Sequence, residues 1–347
     1  MIYHAFKSKV LGKLTRLSIA FSVMLAAAAP ATAVVIRQPY IQSVTETSVV
    51  IVWRTGLSSP TDSRVEYGTT QGSLNQNATA TAIVPASNGS VRDHIVPITG
   101  LTAGTKYFYN IGTTSGGVEG GGTSEHYFTT APATGSSTPF SVWVVGDSGD
   151  NSSSTDQIAV RDAMLAVTAG NPPDLFLHAG DIAYNNATDQ ELTDFHFARY
   201  ATILQHTPFW PSIGNHEVGD SDSGTQTGPY FEGFVLPTAA EAGGFASNTE
   251  AYYSFDYANV HFIVLDSADS SLSPGSAMLN WVVQDLSSTL QYWVIVMFHH
   301  PPYSKGTHNS DNAGDSGGRM VNMRENVMPL LEAGGVNLVY HWGSPVS

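Results

Sequence analysis

Three apolar stretches, Phe140 to Val145, Leu175 to Leu177 and Phe209 to Ile213, each lead into a glycine-containing turn. The turns read Gly146-Asp147-Ser148-Gly149, Gly180-Asp181-Ile182-Ala183-Tyr184 and Gly214-Asn215-His216-Glu217. A fourth stretch, Trp293 to His299, ends in a histidine. This repeated strand–turn unit confines the chain to folds whose strands deliver their following side chains to one sheet edge, the carboxyl edge at which α/β sheets build their sites. Glycine lets the backbone turn sharply enough for the next side chain to enter a shared space. Asp147, Asp181, Tyr184, Asn215 and His299, so gathered, make a ligand set for two metals.

Each residue alone has an ordinary explanation. Aspartate and asparagine beside glycine are common in turns. A single tyrosine is core or rim, and single histidines such as His216 and His299 are more often hydrogen-bonded structural residues than ligands. The joint pattern, at intervals suited to successive strands, is hard to explain by turns alone. The donor types also divide. Carboxylate and phenolate oxygens suit a hard trivalent ion such as ferric iron, whereas amide oxygen with imidazole nitrogen suits zinc, manganese or ferrous iron. Asp181 could bridge the two. Two ions about 3.5–4 Å apart can clamp a phosphoryl group and generate hydroxide at modest pH, which makes an in-line hydrolysis site.

The surrounding sequence has two textures. Residues 34–130 read as all-β: Val49 to Trp53 is a β-branched run, Arg64 to Tyr67 a short strand, and Leu101 to Ile111 a turn followed by an alternating strand. Gly116 to Gly122 reads as a flexible loop. The placement of Trp53 and Tyr107 resembles a fibronectin type III sandwich, with Trp53 in the core and Tyr107 as a tyrosine-corner residue. Residues 131–139, rich in Ala, Pro, Ser and Thr, read as a linker. Beyond Pro139, strands alternate with helices, expected at 154–169, 190–205, 278–286 and 320–332, with a hairpin around Ala258-Asn259 and a last strand at 336–340.

The charge is −15 over 347 residues, a length suited to about two domains. Lys7, Lys9, Lys13 and Arg16, with no acid, lie in the first 33 residues, ahead of an apolar stretch from Leu17 to Ala29 and the small-x-small run Ala31-Thr32-Ala33. Residues 1–33 therefore read as a secretory signal, and their removal takes the charge to −19. The apolar stretch is shorter than the roughly 20 residues of a spanning helix, so stable membrane anchoring after cleavage is not expected. The expected location is extracellular or periplasmic. So acidic a chain repels nucleic acid and anionic membranes, and an anionic substrate has to be held by local charge, for which bound metal is the obvious source. With no cysteine there is neither disulfide nor thiolate site.

Gly146-Asp147-Ser148-Gly149, Gly180 to Tyr184, Gly214 to Glu217 and Val296-Met297-Phe298-His299 resemble the first four of five motifs of the purple acid phosphatases, which are calcineurin-like metallophosphoesterases. The tyrosine at 184 is the specific element, and the resemblance covers nearly all of residues 34–347. It implies a fibronectin-like sandwich (34–130), a linker (131–139) and an αββα-layered metallophosphoesterase domain (140–347). It implies that Asp147, Asp181 and Tyr184 bind ferric iron, with Tyr184 as the source of charge-transfer colour, and that Asp181, Asn215 and His299 bind a divalent zinc, manganese or iron ion. His216 would contact phosphate. His308, nine residues after His299, would contact substrate or protonate the leaving group. The implied activity is acid phosphatase action on small phosphate monoesters by metal-hydroxide attack on phosphorus. Alternatives are a phosphodiesterase or nucleotidase on the same scaffold, or a catalytically impaired secreted binding protein. The last arises because the fifth motif, Gly-His-x-His, has no counterpart after Val336 to Tyr340, where the chain reads His341-Trp342-Gly343-Ser344-Pro345-Val346-Ser347. His341 precedes the glycine rather than following it, which argues against it as a substitute ligand. The missing motif also leads us to expect that the catalytic domain is truncated and that the 347-residue chain binds metal poorly and turns over little ester. Oligomeric state is left open.

Overall fold

The computed structural model describes residues 34–115, 117–149, 154–168 and 170–342. The expected signal at 1–33 lies outside the described residues. No helix among them is long and apolar enough to cross a membrane.

Two antiparallel sheets form the N-terminal region. One contains β1 (Val35–Gln42), β2 (Ser48–Gly56) and β5 (Val91–Thr99) in the order β1-β2-β5. The other contains β3 (Asp62–Gly68), β4 (Gln76–Thr81), β6 (Lys106–Thr113) and β7 (Gly117–Gly121) in the order β4-β3-β6-β7, with β8 (Tyr127–Thr129) paired to β6. Alternate side chains of each strand fill the space between the sheets. Trp53 is fully buried there. The Tyr107 hydroxyl accepts the Thr102 amide N–H at 3.1 Å, the bond a tyrosine corner makes. β7 corrects the expectation of a loop over Gly116 to Gly122. Gly121 lets its end lie close against β6, where a Cβ would meet the Tyr109–Asn110 backbone.

The second region holds two sheets packed face to face. In the first, β9 (Val142–Val145), β10 (Leu175–His178) and β11 (Phe209–Pro211) run parallel in the order β11-β10-β9. The second contains β12 (Tyr253–Tyr257), β13 (Val260–Val264), β14 (Trp293–Phe298) and β15 (Leu338–His341), antiparallel at β12–β13 and parallel thereafter. Trp210 of β11 stacks on Phe255 of β12 with ring centroids 3.9 Å apart, and Phe255 stacks on Phe262 of β13 at 4.8 Å. Helices cover the outer faces. Tyr200 packs on Trp143 and Phe176 of the first sheet. On the second, α2 (Ala277–Ser288) touches β13 through Asp285 and His261, while α1 (Ser154–Val167) follows β9 in the chain. His261 and Phe262 point to opposite faces because neighbouring strand residues alternate.

The helix expected over 190–205 is broken. It consists of Asp189–Glu191, a π-helical turn at Leu192–Phe197 and Ala201–Leu204. Its first turn is tied to the sandwich. Arg37 of β1 donates to the Asp189 carbonyl at 2.9 Å and to its carboxylate at 2.6 Å, and the Thr193 hydroxyl also donates to that carbonyl at 2.8 Å. Within Leu192–Phe197 the ladder steps to i→i−5, as in the Ala198 N–H bond to the Thr193 carbonyl. Arg54 of β2 reaches the same carboxylate and bonds Asp93 as well. The two regions therefore share a buried ionic clasp. Residues 131–139 form no regular element but are tied down, with the Gly135 N–H donating to the Ala258 carbonyl at 2.7 Å.

Candidate metal centre

The turns after β9, β10, β11 and β14 converge. One cavity of about 170 Å³ is lined by Asp147, Asp181, Tyr184, Asn215, His216, His299 and His308, so all seven residues singled out in the sequence face one space. His300, Ser316, Met320 and Trp342 complete much of its wall. Asp147 and Asp181 both take left-handed backbone conformations, at φ +50° and +55°, which cost energy in any residue but glycine and here aim both carboxylates inward. Gly214 is required by space. A Cβ there would collide with the Asp181 backbone and carboxylate.

Electrostatically the site is set for cations. One oxygen of each of Asp147 and Asp181 and one nitrogen of His299 lie within 4.8 Å of one another. Asp147 Oδ1 is buried without a hydrogen-bond partner among the described residues. Burial, and then the charges of Asp181 and Glu217, push the Asp147 carboxyl up to about 8. His299 Nδ1 lies 2.9 Å from the Ala179 carbonyl, which can only accept, so Nδ1 carries the proton and Nε2 offers its lone pair. That lone pair faces Asn215 Oδ1 at 2.9 Å, with Asp181 Oδ2 at 3.5 Å. Two acceptors facing each other beside an unpaired carboxylate are what a bound cation satisfies. The Tyr184 hydroxyl donates to Asp181 Oδ2 at 3.0 Å, and burial together with Asp181 and Asp147 holds the phenol protonated far above its usual range. Only a strongly charged ion in place of that proton gives a phenolate here. The residues present fit a metal centre.

Two neighbours were underestimated from sequence. Glu217, which by sequence alone serves equally well as an orienting partner of His216 or as an exposed loop acid, is fully buried. Its carboxylate accepts backbone N–H bonds from Asp181 at 2.9 Å, Ile182 at 2.7 Å and Gly214 at 2.8 Å, so it pins two ligand turns to each other. Its carboxyl is pushed up, chiefly by burial and then by Asp181. The only available signal was its place within a ligand turn. Trp342 packs its ring where a side chain at 146 would sit and so closes one side of the cavity. His341 stays out of the site: its ring stacks on Phe298 at 6.0 Å, and it does not line the cavity. His216 and Tyr184 rings pack at 4.1 Å, and the His216 amide N–H donates to Asp181 Oδ1 at 3.0 Å. His300 is buried against Ser267 and held neutral, its pKa lowered to about 2 by burial, then His299 and Arg319. A wider cleft of about 520 Å³, lined by hydroxyls, amides, Asp222 and Asp269, gathers no such ligand set.

The calcineurin-like phosphoesterase family model matches residues 140–343, and the purple acid phosphatase N-terminal domain model matches residues 36–130. The chain belongs to the calcineurin-like phosphoesterases. Purple acid phosphatase 15 of Arabidopsis thaliana is 26% identical over 81% of this chain and 55% of its own length. Purple acid phosphatase 22 of the same plant is 29% identical over 80% of this chain and 59% of its own length. The chain thus spans little more than half the length of these relatives. The structure of purple acid phosphatase PPD1 from yellow lupin (Lupinus luteus) seeds superposes with a TM-score of 0.64 at 17% identity, covering 87% of this chain and 57% of that one. At that identity the likeness speaks for the fold, a sheet-rich N-terminal region followed by a layered metallophosphoesterase domain.

Proposed function

We propose that this protein hydrolyses small phosphate monoesters at a dinuclear centre of ferric iron and a divalent ion (zinc, manganese or iron), in an extracellular or periplasmic setting. In this reading residues 34–130 are a supporting sandwich domain, 131–139 its linker and 140–347 the catalytic domain. The observation that carries it is Tyr184, whose hydroxyl lies 3.0 Å from the carboxylate of Asp181 in the cavity shared with Asp147, Asn215 and His299. A phenol so placed serves a trivalent ion.

Asp147, Asp181 and Tyr184 would hold the ferric ion, and Asp181, Asn215 and His299 the divalent one. Bound, the pair supplies charge to hold the phosphoryl oxygens and to acidify water. The chain's own groups do the rest. Ala179 fixes the His299 tautomer through Nδ1. His216 donates Nδ1–H to the Asn185 carbonyl, so its Nε2, 3.7 Å from Asp181 Oδ2, would donate to a phosphate oxygen in the imidazolium form, in which both nitrogens carry a proton. His308, which lines the same cavity, would protonate the departing alkoxide, a poor leaving group without a proton. Trp342 and Met320 exclude water from the flank of the cavity.

The test is reconstitution with ferric iron and zinc. The expected product has a visible absorption band that Tyr184→Phe abolishes while iron content persists, and it cleaves p-nitrophenyl phosphate faster than bis(p-nitrophenyl) phosphate. Stoichiometric metal with no band, or a band that survives Tyr184→Phe, refutes the ligand assignment. Preference for the diester moves the chain to phosphodiesterase action, and metal binding without turnover moves it to a binding protein.

A further inference from the structure

In sequence Asp315 is a polar-loop acid, yet the structure gives it a specific partner. Its Oδ1 lies 2.8 Å from Nδ1 of His308, and its Oδ2 accepts the Asn309 amide N–H at 2.8 Å. Ser316 Oγ donates to Oδ1 at 3.2 Å. The Asn309 amide, and then the imidazole, hold this carboxyl down at about 2, so it is ionised throughout the working range of a histidine. Asp315 opens the turn Asp315–Gly318, in which Ser316, Gly317 and Gly318 all have positive φ. That tight bend returns the chain to the cavity, so Ser316 and Met320 line it beside His308. The histidine is held from the other side as well, because the Ser304 hydroxyl donates to its carbonyl at 2.9 Å.

An ionised carboxylate can only accept, so the proton between the two groups sits on Nδ1 of His308. Nε2 is then the nitrogen that gains and loses the working proton. We propose that Asp315 is a positioning residue for His308: it fixes the Nδ1–H tautomer and leaves Nε2–H of the imidazolium as the donor to the leaving group. This rests on the monoesterase reading above. In the step concerned, the ester P–O bond breaks with its electron pair on the departing oxygen, and that oxygen takes the Nε2 proton to become the alcohol. A water oxygen forms the new P–O bond and releases a proton to solvent, from which the imidazole is recharged. Nδ1–H stays with Asp315 throughout. Asp315 itself touches neither substrate nor metal ligand.

The chemistry supplies a readout that mere structural damage does not imitate. A p-nitrophenolate leaves readily without a proton, whereas an alkoxide does not. In the full-length protein, Asp315→Ala is expected to lower kcat on glycerol phosphate roughly tenfold or more, while kcat on p-nitrophenyl phosphate falls less than about threefold. Asp315→Asn, whose amide oxygen can still accept from Nδ1, is expected to recover part of the loss. Independently of turnover, ¹⁵N spectra of the histidine ring of His308 at alkaline pH are expected to show the Nδ1–H tautomer in the native chain and a shift towards Nε2–H in Asp315→Ala. Equal losses on both esters, or an unchanged tautomer, overturn the proposal. If no ester is cleaved by the native protein, the monoesterase reading fails, and the ring spectra still decide whether Asp315 sets the tautomer.

Discussion

His261 sits in β13 with no exposure to solvent, between two carboxylates. Nδ1 lies 2.7 Å from Asp256 and Nε2 2.8 Å from Asp285, which also accepts from the Ser254 hydroxyl and the Phe245 amide. Burial alone would lower the pKa of the imidazole, but the two carboxylate bonds outweigh it and raise the pKa from 6.5 to about 9. At about 1.4 kcal/mol per pH unit, that rise corresponds to about 3 kcal/mol of folding free energy from the charged ring. The folded pKa lies above the unfolded one, so this contribution is complete below pH 6.5 and disappears as pH rises through 9. In His261→Gln the cation is gone at every pH. The stability gap between native and variant, from urea unfolding followed by circular dichroism in the presence of a chelator, should therefore shrink by about 3 kcal/mol between pH 6 and pH 10. Taking the difference cancels the buried acids Asp147, Glu217 and Glu250, whose raised pKa values also erode native stability with rising pH. A gap that stays constant within about 1 kcal/mol over that range refutes a charged His261 bridge.

Glu217→Ala removes the shared acceptor of three short backbone N–H bonds, so urea unfolding should show a loss of about 3 kcal/mol or more, and metal content after dialysis should fall with it. A folded variant with native metal content would show that the ligand turns hold their places without Glu217. His196 is fully buried with neither ring nitrogen bonded among the described residues, and burial, then His178, keep it neutral well below its usual pKa. Protonation therefore favours the unfolded chain as pH falls below 6.5. His196→Leu should add roughly 1–3 kcal/mol and flatten the acid limb of a stability–pH curve; no gain at pH 4.5 counts against it.

What the sequence announces is what neighbouring residues can encode. The β-branched run at Val49 to Trp53 and the alternation at Leu101 to Ile111 mark a sandwich because periodicity is local. Asp147, Asp181, Tyr184, Asn215 and His299 are legible because each candidate ligand follows a strand within a few residues, Asp181 and Tyr184 the same one, so one repeated pattern marks all of them. His308 needed the family resemblance, since nothing within its own loop marks it. Other features depend on pairs far apart in the chain. Arg37 and Arg54 meet Asp189 at separations of 152 and 135 residues, and no local pattern announces that buried clasp or the π-helical turn that follows it. Glu217 and Asp315 look like surface acids until folding removes water from the first and sets His308 against the second. His261 reads as an ordinary strand residue until α2 brings Asp285 to it. Composition and local pattern determined which elements form and which side chains end each strand. Burial decided which acids carry charge, which histidines stay neutral and which ligand turns are pinned, because desolvation and hydrogen bonding exist only once distant segments are in contact.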